Sequence, residues 1–289
     1  MHIKGVDKFR EKLPALSGKK IAILPIYAIC MITVAFAVYV AFDSLPAILT
    51  DSGINEIALS FFPLFGVMIM ESAGFFLVWQ MWHWRDHLKA KYGSTSYQRI
   101  FLVGFAGILW VITIAVNQYI PYYLFAEKFW ASSPFQILAL PLETFFGIAG
   151  SIVFYVKDTL AVIVSIVGLL TCTRSVQTSG IDYMVVVYLY FPEESQIQEN
   201  EIYSVLRHPV YAGALLIALG GAFLTFTLFS FATYLLLLTG FYLHVHFVEE
   251  KELAQRFGDS YLEYRMKVPA FFVSRRNMHT FLRFLLKKE

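Results

Sequence analysis

The sequence predicts an all-α, polytopic membrane helix bundle of about six transmembrane helices with a C-terminal cytosolic helix, and three observations carry that prediction. Apolar residues make up 58% of the 289 positions and charged residues only 15%, with a mean hydropathy of +0.61. Soluble domains hold about 45–50% apolar and about 25% charged residues, so this chain falls in the membrane class. The apolar residues gather into runs close to or above the roughly 20 that a helix needs to cross a bilayer. Finally, Lys and Arg concentrate at the two ends and in one loop, the pattern that orients membrane proteins. The formal charge of +2 is too small to point to nucleic acid. Cys30 and Cys172 both lie in apolar segments and read as packing residues rather than a disulfide framework.

The first span is expected over Ile21–Phe42. It is longer than a signal-peptide core and lacks a small-residue cleavage site. Ile57–Trp82 and Ile100–Phe125 follow as the second and third spans. The region Pro134–Thr173 is interrupted by Pro141, Glu143, Lys157 and Asp158, and is expected to cross once; a second or third crossing there would raise the total to seven or eight. Pro209–Phe229 and Ser230–Val248 form a closing hairpin. Between these regions, Tyr183–Phe191 is apolar within a polar segment, as a short strand or interfacial segment would be.

Charge fixes the orientation. Lys4, Lys8, Arg10, Lys12, Lys19 and Lys20 precede the first span and place the N-terminus in the cytoplasm. Loop 43–56 carries Asp43, Asp51 and Glu56 with no Lys or Arg, as expected outside. Loop 83–99 carries Arg85, Lys89, Lys91 and Arg99, and the tail after Val248 is basic, so both belong inside. A hairpin that begins and ends inside needs an even number of spans before it, and four satisfy this.

Chemistry-bearing residues collect at that inner face. In Arg207-His208-Pro209, the proline suits the first turn of a helix, where its missing N–H costs nothing. The tripeptide alone would serve equally well as a basic anchor. Tyr211 and Gly213 in the next turn add an aromatic ring and a bare backbone that a flat ligand can approach. Glu249 and Glu250 sit where the second hairpin helix leaves the membrane; alone they would be a solvated helix end. The hairpin brings both groups to one membrane face, which an anchor does not require. Beyond them, Phe257, Tyr261, Tyr264 and Val268 recur at helical spacing and share one face of an amphipathic helix ended by Pro269.

The order Arg-His-Pro-x-Tyr-x-Gly, hairpin, Glu-Glu-x-x-Leu-x-x-x-Phe-Gly-x-x-Tyr-x-x-Tyr-x-x-x-Val-Pro resembles the integral-membrane isoprenylcysteine carboxyl methyltransferase and phospholipid methyltransferase family. The resemblance spans roughly residues 200–270. It implies an S-adenosylmethionine-dependent methyltransferase acting on a membrane lipid or prenylated substrate at the cytosolic interface. It divides the chain into an N-terminal transmembrane region, 1–173, and a methyltransferase-like region, 174–289, within one integrated membrane domain. It implies catalytic positions at Arg207, His208 and Glu250, and a cofactor pocket built by Tyr203, Arg207, His208, Pro209, Tyr211, Gly213, Glu249 and Glu250. His244, His246 and Tyr264 are the candidate substrate contacts.

The chain departs from the family pattern in three places. Glu201-Ile202-Tyr203 stands where relatives commonly have Gly-x-Tyr. Val273 replaces a second proline after Pro269. His244 and His246 precede the acidic pair where many relatives carry an arginine suited to a substrate carboxylate, which leaves the acceptor open.

Other polar residues are read more simply. His83 and His87, beside Trp82, Trp84 and Arg85, fit an interfacial aromatic and basic belt better than a metal site. Glu71 and Glu143 fall in or near apolar runs, and Glu71 is expected to meet Asn117 or Lys157 across a helix interface or to line a substrate channel. A di-iron hydroxylase is excluded, because seven histidines, His2 and His279 among them, are too few for such a cluster. An NADPH-dependent sterol-reductase type of enzyme shares the closing hairpin but not the two motifs. A transporter or scaffold would show repeated broken helices, and no repeat is visible.

Overall fold

The computed structural model describes residues 4–16, 18–49, 52–120, 138, 141–145, 147 and 151–287. Among them, five helices are long and apolar enough to cross a membrane, and a sixth apolar helix is shorter. In chain order the principal helices are α1 (Val6–Lys12), α2 (Ile23–Ile48), α3 (Phe62–His83), α4 (Arg85–Tyr92), α5 (Ser96–Asn117), α6 (Ser151–Ser179), α7 (Pro209–Thr225), α8 (Leu228–His244), α9 (Glu250–Phe257), α10 (Asp259–Lys267) and α11 (Met278–Leu286). No strand forms among the described residues; an isolated bridge pairs Pro141 with Thr227. The expected all-α membrane bundle is therefore the observed fold.

Element boundaries moved for local reasons. The first span runs on to Ile48, with Pro46 near its end. The second begins at Phe62 rather than Ile57, because Pro63 is placed at the first turn and a separate short helix covers Glu56–Ser60. The hairpin turn lies at Phe226–Thr227. Phe226 adopts φ 49 and ends α7, and Thr227 opens α8 with a reciprocal capping box to Ser230. The tail of the third span after 120, and most of the region before Ser151, lie outside the described residues. The fourth span itself is the single long helix α6.

Three expectations are corrected. Tyr183–Phe191 forms no strand: two four-residue helices, Ile181–Met184 and Val187–Tyr190, occupy this stretch, hinged at Val186 with φ 60. The amphipathic tail is not one helix: Gly258 at φ 59 breaks it between α9 and α10. Its apolar face survives the break, since Tyr261, Tyr264 and Val268 are buried together with Phe257 against them. Lastly, Lys157 donates to the Leu224 carbonyl at 3.2 Å rather than meeting Glu71.

The core holds the hairpin inside the bundle. Tyr39, Val67, Met70, Ile114, Leu215 and Leu237 form one buried cluster joining α2, α3, α5, α7 and α8. Because lipid is as apolar as these side chains, close helix packing rather than burial from water supplies the association. It is closest where small residues meet: a Cβ on Gly168 of α6 would come within 2.8 Å of the Gly213 carbonyl on α7.

Candidate active site

The residues around the hairpin mouth are positioned by backbone contacts with the tail. The amide of Arg207 donates to the Pro269 carbonyl at 2.9 Å, and that of His208 to Ala270 at 3.1 Å. Tyr264 donates its hydroxyl to the Tyr203 carbonyl at 2.7 Å, and the Tyr203 hydroxyl meets Ser175 at 2.7 Å and Ser179 at 3.0 Å on α6. Loop, tail and α6 thus fix the segment that enters α7 with Pro209 in its first turn.

On the opposite strut of the hairpin, residues Val245–Glu249 form a π-helical turn between α8 and α9. Such a turn inserts an extra residue into the helical repeat and is frequent at functional sites. It delivers two consecutive carboxylates to one imidazole. Glu249 lies 3.5 Å from His208 Nδ1, and Glu250 lies 3.5 Å from His208 Nε2. Glu250 also accepts from Arg207 Nε at 3.0 Å and pairs with Arg265 Nε at 3.2 Å. Arg207 in turn donates to the carbonyls of Arg265, at 2.7 Å, and Val268. The Tyr211 hydroxyl donates to Glu249, whose Oε1 also lies 3.5 Å from His244 Nε2. Burial opposes a charge on His208, but the two facing carboxylates outweigh it and raise its pKa above the ordinary 6.5.

This cluster walls a cavity with about 1070 Å³ of space, mouth included. Aromatic rings from Trp82, Tyr183, Tyr188 and Tyr203 line it, with Ile197 and Leu253 beside them. The charged lining comes from Arg207, His208, Glu249, Glu252 and Arg256. Two buried donors of wall residues have no hydrogen-bond partner: the Trp82 indole N–H and the Tyr261 hydroxyl. Buried polar groups are ordinarily satisfied, so orphaned donors facing a cavity mark where a polar ligand fits.

Of the residues singled out in the sequence, Tyr203, Arg207, His208, Pro209, Tyr211, Glu249 and Tyr264 line the cavity. Glu250 sits behind it, engaged by both arginines. Gly213 does not face it: a Cβ there would come within 2.5 Å of Cys172 Sγ, so its missing side chain serves the α6–α7 contact rather than a ligand. His246 is exposed, stacked on Tyr242 at 5.6 Å and away from the cluster. His244 is buried against Trp82, at 5.2 Å between rings. His83 stacks on Trp79 at 4.5 Å, in keeping with an aromatic belt. Reasoning from sequence missed Trp82, Ile197, Glu252 and Arg256. Arg256 and Glu252 pair at 2.6 Å at helical spacing, a signal present in the motif stretch itself.

Fold and site together define a polytopic membrane protein with a mixed-charge, aromatic-walled pocket at the end of its closing hairpin. Residues 156–260, which contain that hairpin and both polar clusters, match the phospholipid methyltransferase family model. A Protein-S-isoprenylcysteine O-methyltransferase of Saccharomyces cerevisiae is 25% identical over 182 residues, covering 55% of this chain and 76% of that one. No solved structure matches. The part of the chain that builds the pocket is thus similar to phospholipid methyltransferases and to an isoprenylcysteine O-methyltransferase.

Proposed function

We propose that this protein transfers a methyl group from S-adenosylmethionine to a membrane lipid or prenylated amphipathic acceptor at the cytosolic membrane interface, with both termini cytoplasmic. The convergence of Arg207, His208 and Glu249 from the two ends of a membrane hairpin onto one aromatic-walled cavity, with Glu250 paired behind them, carries this reading.

The residues present fit the methyl donor. A sulfonium nucleoside with an amino-acid tail needs flat apolar walls, acceptors for its ammonium and hydroxyls, and donors for its carboxylate. The cavity offers tyrosine and tryptophan rings, the carboxylates of Glu249 and Glu252, the Arg207 and Arg256 guanidiniums, and the orphaned donors of Trp82 and Tyr261. When bound, the cofactor supplies an activated methyl carbon: the acceptor's lone pair forms the new bond as the carbon–sulfur bond breaks, and that bond's electrons remain on sulfur.

The protein's part is to orient and desolvate. Arg207, His208 and Glu249 form the polar face of the pocket. Glu250 acts through Arg207 and His208, holding their side chains in place. Tyr211 orients Glu249 through its hydroxyl.

Binding of S-adenosylmethionine or S-adenosylhomocysteine to detergent-purified protein tests the assignment. Loss of binding in His208→Ala and Glu250→Ala is expected. Folded wild-type protein that binds neither ligand at millimolar concentration would sink it. Incubating labelled donor with native lipid extract then identifies the acceptor by its labelled product.

A further inference from the structure

A second cavity lies on the lipid side of His244. It runs between α3 and α8, with about 1090 Å³ of space, mouth included. It is more apolar than the pocket at the hairpin mouth: Phe75, Trp79 and Phe247 dominate its walls. Phe76, Leu243 and Phe247 along its rim are exposed, 48–62% by Leu243 and Phe247, as lipid-facing side chains are. His244 stands between the two cavities, ring to ring with Phe75 at 5.7 Å on one side and 3.5 Å from Glu249 on the other.

Besides His244, one ionisable group lines this apolar groove. Glu71 is 93% buried from solvent by its 7% exposure, and its Oε1 has no hydrogen-bond partner. The fold makes room for it, since a Cβ on Gly240 would collide with Glu71 Oε1. A carboxyl group at membrane depth is costly, and an unmade buried hydrogen bond adds to that cost. Gly240 precedes His244 by one turn, about 6 Å along the helix, so Glu71 lies about that much deeper than the polar cluster.

We infer that this groove holds the acceptor, a single long-chain amphiphile, and that Glu71 selects it by accepting a hydrogen bond from an amine or hydroxyl carried on the acceptor near its head. The groove's role as the acceptor site rests on the methyltransferase reading above. The apolar chain lies along Phe75, Trp79 and Phe247 in contact with lipid. The donor group meets Glu71, and the head reaches past His244 toward Glu249. A chain lacking a donor leaves the Glu71 carboxyl unsatisfied and is discriminated against.

The test uses two dibrominated long-chain probes of equal length, an alkylamine and a methyl ester without a donor, whose bromines quench tryptophan fluorescence when bound beside Trp79. With full-length protein in detergent, the amine should bind at least about tenfold more tightly than the ester, the preference expected of one hydrogen bond to a charged group. Trp79→Phe should remove most of the quenching. Glu71→Met should abolish the preference while leaving the thermal midpoint unchanged or raised, because an orphaned polar group has been replaced by an apolar one. Glu71→Gln, which keeps an acceptor oxygen, should retain part of it. Equal binding of both probes overturns the inference. So does a Glu71→Gln variant with full preference beside a Glu71→Met variant that melts early, because Glu71 would then be structural. Amine preference without methyl transfer from labelled donor would instead refute the methyltransferase reading and leave the groove standing. Donor binding without amine preference would do the reverse.

Discussion

Arg207 and Glu250 close the polar end of the hairpin: the guanidinium Nε donates to the carboxylate at 3.0 Å, and both side chains are buried, 9% and 4% exposed. The pair joins the segment entering α7 to the helix that follows α8, behind the pocket wall. Removing one partner strands a buried charge, at a cost of about 3–5 kcal/mol, whereas replacing both costs far less. Glu250→Ala is therefore expected to lower the thermal stability of the detergent-purified protein by about that amount. Arg207→Met with Glu250→Met should lose less than the two single changes added together. Additive losses in this double-mutant cycle would show that the two side chains do not act as a unit.

His208 makes the site pH-sensitive. Its folded-state pKa lies above the ordinary 6.5 because Glu249 and Glu250 face its two ring nitrogens, against the opposing effect of burial. The stabilisation from its charge is fully present below pH 6.5 and is lost as pH rises through the raised folded value. The melting temperature of the wild type should thus fall as pH is raised from about 6.5, the ordinary pKa of histidine, through the raised value. His208→Gln should flatten that segment of the profile. An unchanged slope in the variant would assign the dependence to another group.

Much of this was legible in the sequence, for physical reasons that differ by element. Apolar helices announce themselves by length and hydropathy, because a backbone in lipid must satisfy itself. Pro209 marked a helix start, and the spacing of Tyr261, Tyr264 and Val268 marked a buried face. The π-helical turn at Val245–Glu249 was not legible, because one extra residue leaves the apolar pattern intact while rotating Glu249 and Glu250 relative to α8. The break at Gly258 was hidden for a similar reason: the apolar spacing continues across it. α11 went unread because its buried residues, Phe281 and Leu285, are few and their partners Ile202 and Leu206 lie far away in sequence.

Glu201 occupies a backbone conformation suited to glycine, at φ 50. For a side chain with a Cβ this conformation costs roughly 1–2 kcal/mol. The compensation here is a pair with Lys287 at 2.7 Å, but both side chains are exposed, so it is worth little. Glu201→Gly should leave stability unchanged or raise it by about 1 kcal/mol, the relief being partly offset by a more flexible unfolded chain. Glu201→Val, with its branched Cβ, should lower it. If thermal unfolding ranked glycine below valine, the turn would not be strained as described.

Gly168 and Gly213 test what the second glycine of the motif is for. Each lies where a Cβ would press on the other's helix: 2.8 Å from the Gly213 carbonyl in one case, 2.5 Å from Cys172 Sγ in the other. The neighbours are mostly backbone and cannot yield. Gly213→Ala and Gly168→Ala should each destabilise by about 1–3 kcal/mol, the usual range for overpacking. If Gly213 instead admitted a ligand to the backbone, Gly213→Ala would weaken binding of S-adenosylhomocysteine while Gly168→Ala would not. The packing role predicts that both variants melt early and that the folded fraction of each binds with wild-type affinity. Calorimetric titration below the melting transition separates the two, because affinity is read on folded protein alone, and a selective loss in Gly213→Ala would return that residue to the pocket.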